Sequence, residues 1–404
     1  MQSVGSNGHS GAAVLLCAVL ALASAGTGKA QDAEGFYSPR SNWTSFQGGS
    51  LNISAFVFRD LNRNGTYDVE DRPMAGIAVR LSGPGRNVVR RSNIQGFANF
   101  PMSVLDRDAP VNEPGSYLFQ AYVPPGWDAT TENAAQTGEF VVFPGSVADM
   151  VLKKPLMPIG LAPALTIRGT VRAALATGTA NSLQVEATSP EGEMQRVPLG
   201  EDASFTLQAS PGEWLVEIRG PKIAEPVQRR VRVTAAPVVI SDISLDENRP
   251  APAPIEAPVD FEGITEAAIA EVPSGVGEVG WHNMVVTNHT FYGGSGYVNN
   301  LISGNYLGYN SSAHPVTVTQ PEPFDFRGGY FGTAWPRAEG EVLRLRAWRG
   351  EELIHEDEIT LSSLGPIWFD ADYRSVTRIE LATRHYWQFV CDDLVFAVRR
   401  AFLE

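Results

Sequence analysis

Short stretches of alternating apolar and polar residues recur along most of the chain, each bounded by Gly, Pro, Asn or Asp. Residues 51–59 (LNISAFVFR) and 76–81 (GIAVRL) form the first pair, rich in β-branched and aromatic side chains. A turn-marked strand follows at 96–100 (GFANF). Next come 115–123 (GSYLFQAYV), ahead of the Pro124-Pro125-Gly126 turn, and apolar runs at 140–143 and 150–152. Residues 165–171 (LTIRGTV), 183–187 (LQVEA), 204–207 (SFTL) and 211–218 (PGEWLVEI) alternate in the same way. Further on, 341–348 (EVLRLRAW) and 356–361 read as a hairpin around 349–352 (RGEE), followed by 375–381 (SVTRIEL) and 389–396 (FVCDDLVF). Long helical periodicity is hard to find. The pattern predicts an all-β chain of tandem β-sandwiches.

Two proline-rich breaks divide it. Residues 154–163 (KPLMPIGLAP) read as a stiff linker and 249–258 (RPAPAPIEAP) as a semi-extended spacer. They leave modules at 51–153 and 164–248 and a third domain at 259–400, a division that 404 residues can sustain. Residues 12–25 (AAVLLCAVLALASA) have the length of a signal-peptide apolar core, followed by small residues, although no Lys or Arg precedes them. We therefore expect a signal peptide over 1–30, cleaved after Ala25 or Ala30, and a polar leader over 31–50. No second apolar run reaches membrane length, so the expected location is extracellular or at the cell surface, with no membrane span in the mature chain. Cys17 would leave with the signal. Cys391 would then be alone, in an apolar strand where a buried small hydrophobe is expected. A net charge of −14 argues against a nucleic-acid partner and suits divalent cations.

The chemistry most plainly written in the chain lies at residues 60–71 (DLNRNGTYDVED). Side-chain oxygens fall at the first, third, fifth, ninth and twelfth loop positions, as Asp60, Asn62, Asn64, Asp68 and Asp71. Gly65 fills the sixth, and Thr66 would offer its backbone carbonyl at the seventh. This is the ligand order of an EF-hand calcium loop, here flanked by strand-like rather than helical sequence. The expected cofactor is Ca²⁺. The run FVFRDLNRNGTYDVEDRPMAGIAVRL, a Gly-x-x-x-Phe step and GSYLFQAYVPPGW together resemble the B-type repeat of serine-aspartate-repeat surface proteins (SdrD B-like). That resemblance implies a small calcium-binding β-sandwich used as a rigid spacer. The chain departs from it in placing Asp71 where a longer Glu is usual, with Glu70 a substitute. The order of strands and turns over 164–248 resembles the carboxypeptidase-regulatory or prealbumin-like sandwich, which implies a structural module without chemistry of its own.

The third domain opens on Val259-Asp260-Phe261-Glu262 and closes on a strand holding Asp392 and Asp393. It resembles a galactose-binding-like jelly roll. Carried over, that resemblance makes Glu262 and Asp392 candidate ligands of a structural calcium, with Asp260 and Asp393 as alternates. The plain alternative is that Asp260 and Asp393 point to solvent. Between Trp281 and Trp335 the sequence is rich in Gly, Asn and aromatics. Tyr297, Tyr306, Tyr309, Tyr330 and Trp335 are candidates for stacking on a sugar, with Asn299, Asn300 and Asn305 for its hydroxyls. The competing reading places these aromatics in the core and the Asn and Gly in turns.

His282, His289 and His314 follow no zinc spacing, and there is no His-Glu-x-x-His, Gly-x-Ser-x-Gly elbow, P-loop or Rossmann glycine pattern. The expectation is a secreted, non-enzymatic surface or matrix protein: a calcium-stiffened stalk carrying a C-terminal domain for a glycan or cell-surface component. The alternatives are a polysaccharide-active lyase or glycosidase with its site in 259–400, and a purely structural matrix component.

Overall fold

The computed structural model describes residues 42–44, 50–142, 150–245 and 258–398, apart from 173, 175–177, 179–181, 222 and 224. The signal-peptide expectation, most of the leader and nearly all of the 249–258 spacer lie outside the described residues. The fold is all-β, three sandwiches in tandem: two small modules followed by a jelly-roll-like third. Among the described residues no helix is long and apolar enough to cross a membrane.

Strand Ser50–Arg59 is the hub of the first module. It pairs antiparallel with Phe97–Pro101 and Arg72–Pro73 and parallel with Ile159–Pro163. Both its faces are buried. Ile53, Ala55 and Val57 enter the module core beside Phe100, Tyr117 and Phe119. Phe56 and Phe58 turn the other way and are covered by Tyr67, whose ring centroid lies 4.8 and 5.2 Å from theirs. Residues 42–44, expected as leader, add a short strand to the same hub.

The expected linker at 154–163 is corrected. Its second half is the strand Ile159–Pro163, buried throughout and held between Ser50–Arg59 and Trp127–Ala129. Pro158 and Pro163 sit at or beside the strand ends, so the apolar Ile159-Gly160-Leu161 between them decides the outcome. Gly160 lets the backbone close in, since a Cβ there would lie 2.8 Å from the Phe58 ring.

The second module has a four-stranded sheet, Met194–Val197, Gln184–Thr188, Gly212–Arg219 and Val227–Val233 in spatial order, around a core holding Trp214. Its other sheet does not stop at the module boundary. Val238–Ile240 pairs with Thr166–Thr170 on one side and with Trp368–Asp370 of the third domain on the other, both in parallel. One sheet therefore runs through both units.

In the third domain the long strand Ile367–Thr383 pairs with Val316–Thr333 and Val342–Arg349, and Val316–Thr333 pairs with Phe389–Val398. The hairpin expected around 349–352 is present, with Arg349 opposite Glu352. The opening segment meets the closing strand as expected, Val259 and Leu394 exchanging N–H···O bonds of 2.7 and 3.1 Å. Cys391 is buried, and burial pushes its thiol pKa well up, as an inert core residue requires.

The three units pack against one another rather than being strung out. Arg59, fully buried, donates from Nη1 to the carbonyl of Asn299 and from Nη2 to that of Leu301 at 2.5 Å. The Asn299 side chain in turn accepts from the Ala75 N–H at 2.9 Å and donates to the Ala75 and Ser363 carbonyls. Leu364 packs on the first module's core.

Candidate functional site

The loop over 60–71 joins two antiparallel strands, with Phe58 opposite Pro73 and Arg59 opposite Arg72. Asp60 and Asp71, the first and last expected ligands, are buried. Asp60 accepts the N–H groups of Asn64 (3.1 Å) and Gly65 (2.8 Å). Asp71 accepts those of Leu61 (2.9 Å) and Asp68 (3.0 Å). Asn62 and Asn64 accept one loop N–H each, and their amide groups converge on one Asp68 oxygen at 2.9 and 2.8 Å. Glu70 lies at the rim, 3.4 Å from the Asn62 amide. Gly65 has φ +73°, and a Cβ there would sit 2.9 Å from the Thr130 carbonyl, so the sixth position is closed to larger residues.

Burial pushes the Asp71 carboxyl up to about 6, with Asp60 and Asp68 adding like-charge repulsion against the two N–H bonds. Asp60, Asn62, Asn64, Asp68 and Asp71 bring their oxygens to this one loop, and each of these side chains already accepts a hydrogen bond within it. Among the described residues no three His, Cys, Asp or Glu side chains converge on one metal position. Asn62, Asn64 and the Thr66 carbonyl would therefore be needed as ligands.

Glu262 and Asp392 serve one short segment of the third domain. Glu262 accepts the N–H of Asn305 (2.6 Å) and Tyr306 (2.7 Å). Asp392, completely buried, accepts those of Ile302 (2.8 Å) and Ser303 (3.0 Å). Asp393 takes the Ser303 hydroxyl at 2.8 Å, and Asp260 the N–H of Glu262 at 3.1 Å. Glu262 and Asp392 fasten the 302–306 turn through main-chain donors, a role that the sequence pattern does not distinguish from metal ligation.

The five candidate aromatics do not form one platform. Tyr297 and Tyr309 are buried in a small core with Leu301 and Val390, so the expectation that they stack on a sugar is corrected. Their phenols are accounted for internally: Tyr309 with Tyr292 at 2.8 Å, and Tyr297 with Gln388 at 3.2 Å. Asn299 and Asn300 are buried as well and bond to main chain. Asn305 is exposed, but its own carbonyl takes His289 Nδ1 at 2.9 Å. Trp335 is half-buried against Tyr297 and bonded to Gln388. Tyr306 is half-buried, its hydroxyl on the Ala267 carbonyl.

Tyr330 is the exception. It lines a cleft of about 640 Å³ between the second module and the third domain, with Trp368 beside it, ring centroids 4.9 Å apart and planes at 65°. Its hydroxyl is 2.8 Å from that of Thr234, across the boundary. Behind the aromatic floor lies an ion-pair network. Arg229, buried, engages Asp370 and Asp372, the latter at 2.8 Å; Asp372 also holds Arg327 at 2.6 Å and Arg374 at 2.9 Å. The sequence patterns single out Tyr330 but not Trp368 or the arginines, which come together only because Val238–Ile240 joins the two sheets.

No family model matches the sequence, and no curated protein is similar to it. Among solved structures, the chain is similar to TmCBM61 in complex with β-1,4-galactotriose, at 12% identity over 35% of this chain and 95% of that one, with a TM-score of 0.21. It is similar to the Bacillus anthracis TIE protein, at 9% identity over 81% of this chain and 51% of that one, with a TM-score of 0.20. It is similar also to the shaft pilin SpaA of Lactobacillus rhamnosus GG, at 7% identity over 47% of this chain and 95% of that one, with a TM-score of 0.19. Scores this low carry no argument, so the β-sandwich architecture stands on the strand pairing described above.

Proposed function

We propose that this chain is an exported, non-enzymatic surface or matrix protein that binds calcium at the 60–71 loop and carbohydrate in the cleft between its second and third units. The observation that carries the carbohydrate reading is the Tyr330–Trp368 pair, two half-buried rings forming the floor of an open cleft of ligand size. Aromatic faces of this kind pack on the C–H face of a pyranose. The test is a panel of polysaccharides offered to the full chain, read for both retention and reducing-end release. Retention without turnover is expected. Turnover would make the protein an enzyme, and a panel that yields no binding would leave a structural matrix role.

Calcium supplies charge neutralisation at the loop. At a free concentration 100-fold above Kd it would stabilise the fold by about 2.7 kcal/mol, and sites of this extracellular type need a Kd only on the order of 10⁻⁴ to 10⁻³ M. EDTA should therefore lower Tm by several degrees, and Asp60→Ala should remove that sensitivity. The effect should depend on pH. The Asp71 pKa of about 6 lies above its ordinary 3.8, so the calcium-free protein loses stability as pH rises through that window. Calcium should accordingly raise Tm more at pH 7.5 than at pH 5. A Tm indifferent to chelator at both values would refute the site.

A further inference from the structure

The cleft floored by Tyr330 and Trp368 also carries a charge pattern opposite to that of the chain around it. Acidic residues outnumber Lys and Arg by 45 to 31 overall. Around the cleft, five arginines meet three carboxylates. Strand Val227–Val233 builds one wall by simple alternation: Val231 and Val233 enter the core, while Gln228, Arg230 and Arg232 face outward. The carboxylates are already engaged. Asp370 and Asp372 hold the arginines of the floor, and Glu213 lies 3.7 Å from Arg232 in a solvent-exposed pair. Arg230 is exposed and has no acidic partner among the described residues.

We propose that the cleft binds an acidic oligosaccharide, one whose pyranose rings carry carboxylate or sulfate groups. This rests on the carbohydrate reading above and narrows its ligand. Guanidinium forks match both anions in bidentate geometry, and Arg keeps its charge at any physiological pH. Ring faces and fixed cations side by side in one recess suit a ligand that is at once a flat apolar ring and an anion. An acidic peptide would use the arginines but leave the aromatic floor without a matching ring. A cationic cleft in an otherwise acidic chain also concentrates anionic ligands locally and speeds their capture.

The test is calorimetric titration of the full chain with four probes: an oligogalacturonate, a heparin-derived sulfated oligosaccharide, a neutral β-1,4-galacto-oligosaccharide and oligoglutamate. One or both acidic sugars should bind about tenfold or more tightly than the neutral sugar and the peptide, and which of them binds identifies the anion. Arg230→Gln with Arg232→Gln should weaken that binding about tenfold while leaving Tm nearly unchanged, because both side chains are exposed and neither change sets like charges opposite each other. Tyr330→Ala should weaken it too, and added salt should weaken the acidic sugars selectively. Equal or tighter binding of the neutral sugar would overturn the acidic specificity and leave the carbohydrate reading standing. Acidic-sugar binding that ignores all three substitutions would overturn the cleft as the site, and with it the location given to the carbohydrate above. Oligoglutamate binding as tightly as the acidic sugars would reduce the cleft to a general anion site. Absence of binding by every sugar would remove the carbohydrate reading with it.

Discussion

Arg229→Ala is expected to cost on the order of 3 kcal/mol of unfolding free energy. Arg229 is buried where the second module meets the third domain, and its guanidinium engages Asp370 and Asp372. Asp372 would keep Arg327 and Arg374, but Asp370 would lose the cation that offsets its burial. Removing one member of a buried pair costs more than the pair contributes, because the remaining charge stays desolvated. The figure lies at the low end of the usual range because 16% of the Asp370 side chain still reaches water. The deficit should depend on pH with a defined sign. Burial already holds the Asp370 pKa above its ordinary 3.8, and without Arg229 it rises further. The penalty is then full above the variant's folded-state pKa and is lost as pH falls below the parent's, where the carboxyl is protonated in both folded proteins. Denaturant unfolding of the variant and the parent at pH 4.5 and 7.5 measures this. Arg229→Met with Asp370→Asn should recover part of the loss. A deficit equal at both pH values would show that packing, not charge, is what Arg229 supplies.

Arg59→Ala should cost about 3 kcal/mol, from the cavity and the unpaired carbonyls it leaves. Arg59 is among the largest fully buried side chains, and its two donors satisfy the main-chain carbonyls of Asn299 and Leu301. Truncation leaves both acceptors unpaired and a cavity at the boundary of the first and third units. Arg59→Met, which keeps most of the volume, should restore the packing share only. Hydrogen exchange at residues 302–306, reported by the amides bonded to Asp392 and Glu262, should accelerate in both variants. A loss below about 1 kcal/mol would mean the carbonyls find water at no penalty.

The turn over 60–71 was legible because its information is local: five oxygen-bearing residues and one Gly at fixed offsets dictate it, and Gly65 takes the positive φ that this requires. Hairpins such as 342–360 were legible for the same reason. Composition misled at 154–163, where three prolines masked the Ile-Gly-Leu that completes the first module's core. Tyr297 and Tyr309 misled in another way. Gly296 packs directly on the Thr333 and Ala334 carbonyls, and the neighbouring Tyr297 is buried with Leu301 and Val390. Nothing in the spacing of the tyrosines reports it. The cleft had only a faint local signal. In VQRRVRV, Arg229 falls on the inward register with Val231 and Val233 and so calls for a buried anion, but its partners lie some 140 residues on.

The parallel seam between Val238–Ile240 and Trp368–Asp370 bears on how the protein can be dissected. A fragment beginning at residue 258 would keep the pairing of Ile367–Thr383 with Val316–Thr333 and Val342–Arg349 but bare the main-chain groups of 368–370, which now pair with Val238–Ile240. Such an edge recruits other chains. The isolated C-terminal portion would also lose Arg229, the partner of Asp370 and Asp372, so truncation here changes the molecule rather than simplifying it.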